Sequence, residues 1–265
     1  MSDIRIPAPG RLEVRLARSS SEVRAAQRLR YRIFYEEMGA RAEAGLALDR
    51  IDRDEHDALC DHLLVLDHGS SARPAVVGTY RLLRGDAGGR QPCFYSAAEF
   101  DLAPLLRRGG RVLELGRSCV DPRYRNGPVM QLLWQGIASY VLRHDIDVLF
   151  GCASLPGTDV KALRHPLAFL HHDYRAPTGL RPRAVTARAV AMDRLPSDAV
   201  DRTRAWRELP PLVRGYLRAG ARVGDGAVID WDFGTTDVCM IVETTAIAER
   251  CRQHDVEAPR HALMA

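Results

Sequence analysis

The sequence predicts a mixed α/β fold, a sheet with helices on both faces. Three stretches carry that reading. From Val112 to Thr158 an apolar run leads through Asp-Pro into a basic, Gly-containing turn, then a helical pattern, then a second apolar run. That order is strand, anion-holding turn, helix, strand. Near the start, a capping signal opens an amphipathic helix. Near the end, Val228–Trp231 and Val238–Val242 are short apolar runs of the kind that close a sheet.

In chain order, residues 1–10 read as a loose tail, and Leu12 to Ala17 alternates apolar and basic as an edge strand does. Ser19 and Glu22 stand at capping-box spacing. The helix they open runs to about Met38, with Val23, Ala26, Leu29, Ile33 and Phe34 on one face and Gly39 as its stop. Residues 40–61 are polar and acidic and read as a loop. His62 to Asp67 and Ala75 to Leu83 are strands joined by a Gly/Ser/Pro turn. Residues 84–110 are a long connection in which Phe94-Tyr95-Ser96 and an Asp101–Leu106 helical turn pack on the sheet. Arg111 to Val120 is a strand, Val129 to His144 a helix carrying Leu132, Leu133, Trp134, Ile137 and Val141, and Val148 to Ala153 a strand. A short helix is expected over Asp159–His172 with a break at Pro166, and a strand over Ala184–Asp193. A helix begun by prolines follows Leu209, and the tail from about Thr244 reads as helical, then disordered. No repeat and no clear linker appears. The expectation is a core over residues 11–205, an extension over 206–245 that completes the same domain, and a tail over 246–265.

Composition narrows the function classes. The formal charge is +4, and of 38 basic residues only Lys161 is a lysine. So many arginines suit anionic partners, although genomic bias also produces them. No basic stripe with interleaved aromatics stands out, so nucleic acid is not expected. No apolar run reaches the length of a membrane span, and the N-terminus lacks the apolar core of a secretory signal. The chain therefore reads as cytoplasmic. Its six cysteines are scattered without a C-x-x-C pair, as buried thiols rather than disulfides or metal ligands. No metal is expected.

Several residues have chemical potential. Arg30, Phe34 and Glu37 lie on adjacent turns of the first helix. Asp54, Asp57 and Asp61-His62 gather carboxylates that suit an ammonium group, or simply form a solvated acidic loop. Arg81 sits in an apolar strand, where it faces water unless one of those acids pairs with it. Glu114 lies in another apolar strand, a costly place for a carboxylate without a partner or a task. It is a candidate general base, or one half of a structural ion pair. Arg117, three residues on, faces the opposite side unless a bulge intervenes. Ser118 and Cys119 have no evident His partner that would make either a nucleophile. The Arg123, Arg125, Asn126, Gly127 turn is shaped to present N–H groups and a guanidinium to a phosphate.

Together these pieces resemble the GNAT superfamily of N-acyltransferases, through the turn Val120-Asp-Pro-Arg-Tyr-Arg125. The glycine at 127 comes one residue earlier than in the usual coenzyme A loop, which points away from coenzyme A as donor. Acyl-homoserine lactone synthases have a pattern similar to Arg30, Phe34, Asp54, Asp57, Arg81, Glu114 and Arg117. The L-ornithine N(alpha)-acyltransferases of ornithine lipid synthesis are more similar. Leu-Arg-Tyr-Arg-Ile-Phe-Tyr-Glu-Glu-Met-Gly, Gly-Thr-Tyr-Arg-Leu-Leu, Phe-Tyr-Ser-Ala-Ala-Glu-Phe, Glu-Leu-Gly-Arg-Ser-Cys-Val and Asp-Phe-Gly-Thr-Thr-Asp-Val all resemble that family, across the chain to about residue 242.

The resemblance implies a GNAT-like acyltransferase fold with a C-terminal elaboration. It implies transfer of a 3-hydroxyacyl group from the phosphopantetheine of acyl carrier protein to the α-amine of L-ornithine, with no permanently bound cofactor. Glu114 and Arg117 would be catalytic. Arg30, Phe34, Asp54, Asp57, Arg81 and the Ser118, Cys119, Val120 backbone would serve the substrates. Arg123, Arg125, Asn126 and Gly127 would meet the carrier arm. The alternatives are lactone synthesis from S-adenosylmethionine and a non-catalytic acyl-carrier or lipid-binding module. The helix after Leu209 is expected to pack on the sheet as an ordinary helix; the alternative is weak peripheral contact with the inner membrane surface, with Leu209, Leu212, Val213, Tyr216 and Leu217 toward the bilayer and Arg214, Arg218 and Arg222 toward lipid phosphates.

Overall fold

The computed structural model describes residues 5–7, 11–42, 44–69, 74–86, 93–185 and 187–245. The expected tail over 246–265, Cys251 and the middle of the Gly/Ser/Pro turn lie outside them. The strands are β1 (Arg5–Pro7), β2 (Leu12–Leu16), β3 (Asp61–Asp67), β4 (Ala75–Arg84), β5 (Phe100–Asp101), β6 (Val112–Val120), β7 (Val148–Pro156), β8 (Arg183–Ala184), β9 (Ala189–Val190), β10 (Arg222–Val223), β11 (Ala227–Asp230) and β12 (Thr235–Glu243). The helices are α1 (Ser20–Tyr31), α2 (Ala44–Asp49), α3 (Ala103–Arg107), α4 (Val129–His144), α5 (Arg164–Tyr174), α6 (Arg202–Glu208) and α7 (Pro211–Arg218). Strands and helices alternate along most of the chain, as a mixed α/β fold requires. They fall into two compact units, one built from residues up to 92 and 113–146, the other from 93–112 and from 147 on.

In the first unit β1, β2, β3, β4 and β6 pair in that order, all antiparallel. β2 is thus an inner strand and not the edge its alternation suggested, because β1 forms within the segment expected to be loose. Ser19 caps α1 by accepting the Glu22 N–H, but only half of the expected capping box forms. The Glu22 carboxylate goes instead to the Arg18 N–H and to Arg15, whose hydrogen bond holds it down to about pKa 2. After Tyr31 the helix widens to a π-turn over Arg32–Glu37 and stops where Gly39 takes φ 79°. α1 covers one face of the sheet: Ala26 packs on Leu64 and Leu66, and Leu29 and Ile33 on Cys119.

α4 covers the other face, with Leu132, Leu133, Trp134 and Ile137 buried and Trp134 against Tyr80. Its close approach needs Gly136, where a Cβ would stand 2.8 Å from Leu63 and 3.0 Å from Val14. Asp145, left-handed at φ 47°, ends it. The acidic loop over 40–61 contains α2 and a 3₁₀ turn over Glu55–Ala58, which the loop expectation missed.

In the second unit β7, β12, β11 and β9 pair antiparallel in that order, β10 also pairs with β12, and β5 pairs with β8. Phe94 packs edge-on against Phe150, as expected of the Phe94-Tyr95-Ser96 stretch. Pro166 does not break α5. It lies in the first turn, where a missing N–H costs nothing. The expected strand over Ala184–Asp193 resolves into two fragments, β8 and β9, on different partners. α7 is begun by Pro210 and Pro211 as expected, and Leu209, Val213, Tyr216 and Leu217 are buried. Arg218 lies over the Trp206 ring and Arg214 donates to the Trp206 carbonyl. The apolar face of this helix is therefore spent on the core, as for an ordinary packed helix, and not left for a bilayer. Among the described residues no helix is long and apolar enough to cross a membrane.

Candidate active site

The site belongs to the first unit and starts from a backbone irregularity. Along β4 and β6, Leu83 opposes Glu114 and Arg81 opposes Gly116, but the register then slips so that Thr79 opposes Cys119. Tyr80 therefore faces both Arg117 and Ser118. This is a β-bulge, and Arg117 supplies its left-handed residue at φ 50°. Pleating puts Arg81, Leu83, Glu114 and Gly116 on the face covered by α1. Without the bulge Arg117 would point with Tyr80 toward α4. With it, the guanidinium comes to 3.5 Å from both Asp52 and Asp54, on the Arg81 side. The exception allowed for in the sequence is the arrangement found.

Three arginines and three aspartates interlock there. Arg30, 1% exposed, donates from Nε to Asp52 Oδ2 at 2.6 Å and from Nη2 to the Asp52 carbonyl at 2.5 Å. Its other bonds form a fork to both Asp57 oxygens at 2.9 Å. Arg81 donates to both Asp54 oxygens, at 2.6 and 2.7 Å. Gln27 adds a bond to Asp57 and Tyr35 one to Asp52. Asp54 also caps the Glu55–Ala58 turn, in a box completed by Asp57. Burial alone would raise both carboxyls. The guanidinium bonds outweigh it, from Arg81 for Asp54 and from Arg30 for Asp57, and hold both below the usual carboxylate range. His62 Nε2 donates to the Asp57 carbonyl, 3.1 Å away, and burial lowers its pKa.

The aspartates therefore meet the chain's own guanidiniums, not open solvent. Asp52 was missed in the sequence. Its only signal is its place two residues before Asp54 in an acidic run, which does not reveal that it is 2% exposed. Glu114, 5% exposed, lies in the same electrostatic neighbourhood: burial pushes the Cys60 thiol up to about 12, Arg81 opposes, and Asp57, Glu114 and Asp54 add to it. Phe34 packs beside Leu29, Ile33 and Cys119. Cys119 is buried, and desolvation takes its thiol up to about 12, so no thiolate nucleophile resides there. Ser118 is half-buried and Val120 buried.

After β6 the chain turns over Asp121–Pro128. Arg123 folds back on Asp121, which also accepts from Arg32 at 2.7 Å, and Arg125 pairs with Glu37. The N–H groups of Arg123, Tyr124, Arg125 and Gly127 bond within the turn itself. The turn is thus a cationic surface, with Arg123 75% exposed, more than a ready cradle of N–H groups.

Residues 29–135, which contain the three arginines, the three aspartates and Glu114, match the acetyltransferase (GNAT) domain. The fold is that of a GNAT acyltransferase. The chain is 48% identical to an L-ornithine N(alpha)-acyltransferase of Rhodobacter capsulatus, over 93% of this chain and 95% of that one. It is 49% identical to the one of Brucella abortus, over 91% and 87%. The chain belongs to the L-ornithine N(alpha)-acyltransferase family. Among solved structures, an N-acyl amino acid synthase from uncultured soil microbes is similar with TM-score 0.49 and 12% identity, over 93% of this chain and 99% of that one.

Proposed function

We propose that this chain moves a long 3-hydroxyacyl group from acyl carrier protein to the α-amine of L-ornithine, forming a lyso-ornithine lipid. The acceptor is the one named for its relatives. The bulge at Arg117–Ser118 is the observation that supports the reading most. It places Arg117 beside Asp52 and Asp54, on the same side of the sheet as Arg81 and Glu114.

An α-ammonium with a pKa near ~7.7–8.0 is mostly protonated at neutral pH, and only the free amine attacks. Glu114, directly or through one water, takes its proton. The nitrogen lone pair then adds to the thioester carbon. Backbone N–H groups around Ser118–Val120 receive the oxyanion. The C–S bond breaks as the intermediate collapses, and the second nitrogen proton passes to the departing thiolate, leaving an amide and the free thiol of the carrier arm. Arg30, Asp52, Asp57 and Arg81 hold the pocket in shape, and Phe34 lends it an apolar wall. Asp54 and Arg117, the more exposed pair of the lattice, meet the acceptor. Arg123, Arg125, Asn126 and Gly127 form the surface toward the acidic carrier protein. The phosphopantetheine arrives with the donor as substrate.

Glu114→Gln tests this. It is nearly isosteric, and loss of a general base lowers turnover by on the order of 10²–10⁴-fold. Product mass is followed with 3-hydroxyacyl carrier protein and either ornithine or S-adenosylmethionine. A folded variant with unchanged turnover across pH 7–9 removes Glu114 as base. Turnover of S-adenosylmethionine and not ornithine replaces the acceptor.

A further inference from the structure

The second unit carries an open cleft of about 690 Å³ that has no part in the chemistry above. Its walls come from α3, the facing β5 and β8, the turn at Thr178–Leu180 and the end of β12. Three arginines, Arg107, Arg108 and Arg183, and two carboxylates, Asp101 and Glu243, border it. We propose that this cleft binds a phosphate group, carried by a lipid headgroup or by a small phosphate ester.

The charges are not matched within the cleft. Glu243 is taken by Arg108. Asp101 accepts the Ala103 N–H at 2.9 Å, at the start of α3. Asp101 stands directly opposite Arg183 in the β5–β8 pairing, yet no ion pair joins them. Arg107 likewise has no carboxylate partner among the described residues. Exposed arginines elsewhere, such as Arg50, Arg53, Arg123 and Arg202, do reach a carboxylate. Two guanidiniums therefore face one concave space while the acids that share it are committed to other donors.

The rest of the lining suits an anion attached to something less polar. Leu180 is buried at the base, Pro104 and Pro177 form apolar walls, and Thr178 offers a hydroxyl. The volume is that of an ordinary small-molecule site. Two guanidinium forks match a tetrahedral dianion better than a lone carboxylate, because each fork engages two oxygens.

The test uses the full chain, titrated with inorganic phosphate by calorimetry. It is also sedimented with vesicles of phosphatidylglycerol or of phosphatidylcholine, at low and high salt. Arg107→Ala with Arg183→Ala weakens binding by on the order of tenfold or more, since each charge-assisted contact is lost outright. Both residues are exposed, so the fold and the thermal midpoint stay unchanged. The control is Arg24→Ala with Arg28→Ala, which removes the same charge from the exposed side of α1 and changes binding by no more than about twofold. Cleft-dependent binding of phosphate without vesicle capture assigns a small ester. Cleft-dependent capture by phosphatidylglycerol vesicles assigns a headgroup. Binding of neither probe, or equal loss in the control, overturns the proposal.

Discussion

Arg30→Ala isolates the centre of the charge lattice. The side chain is 1% exposed and all of its bonds go to two aspartates: one to the Asp52 carboxylate, one to the Asp52 carbonyl and two to Asp57. Removing one partner of a buried ion pair costs roughly 3–5 kcal/mol, because the remaining charge stays buried. Here Gln27 and Arg81 remain on Asp57, and Tyr35 and Arg117 remain near Asp52, so the expected loss is at the lower end, about 3 kcal/mol. Against a total stability of about 5–15 kcal/mol that shift is plain in a urea titration followed by circular dichroism. The pH dependence supplies an independent check. The Asp57 pKa is lowered in the folded state, so its contribution is present above the unfolded value of about 3.9 and is lost as pH falls through the folded one. Without Arg30 the largest lowering contributions are gone, and only Arg81 and Gln27 still oppose the desolvation of Asp57. The gap between wild type and variant therefore narrows as pH drops from 7 toward 3. A loss under about 1 kcal/mol at pH 7, or a gap that holds constant with pH, refutes the claim that Arg30 neutralises a buried acid pair.

Three further outcomes are expected. Arg123→Glu with Arg125→Glu weakens the apparent affinity for acyl carrier protein, and wild-type binding falls with salt; equal affinity for wild type and variant at low salt removes this surface. Glu99, desolvated beside Asp237 and Asp230, is pushed up to about 7, so the stability it contributes is full below its unfolded pKa and is lost as pH rises through 7. Glu99→Gln should flatten the stability of the protein between pH 5 and 8, and an unchanged slope contradicts the shift. Gly136→Ala, a gain of about 1 kcal/mol in an open helix, should instead lose about 1–2 kcal/mol because its Cβ meets Leu63 and Val14; a raised thermal midpoint shows that α4 has room to move.

The sequence was most legible where one local rule decides. α4 runs over the residues its apolar spacing marks, and Gly39 ends the first helix because the chain needs a positive φ there. It was least legible where partners are distant. Alternation made Leu12–Leu16 look like an edge, but whether a strand is an edge depends on a second strand, and β1 supplies one. The pattern over Ala184–Asp193 is consistent with one strand, yet β8 pairs with β5 and β9 with β11. Arg117 could not be assigned a face, since a bulge is a property of two strands in register and Tyr80 is the residue that reveals it.

The acidic loop shows why residue type alone falls short of role. Asp54, Asp57 and Asp61, close together in the sequence, invite an ammonium or a solvated loop, and Asp52 joins the first two only in the fold. The first helix and two strands bring three guanidiniums to them, and the charge is cancelled before any substrate arrives. Cancellation does not make the three equivalent. The Asp52 side chain is 3% exposed and that of Asp57 8%, whereas that of Asp54 is 23% exposed and its Arg117 contacts are long, at 3.5 Å. The inner pairs are held by short bonds and set the geometry. Asp54 keeps its short bonds to Arg81 but stands at the accessible edge, and Arg117 is the loosely held member, so on the proposed reading an incoming cation displaces Arg117 from Asp54 at little cost in buried charge. Buried interior and accessible rim thus follow from one difference, how far each acid is withdrawn from solvent.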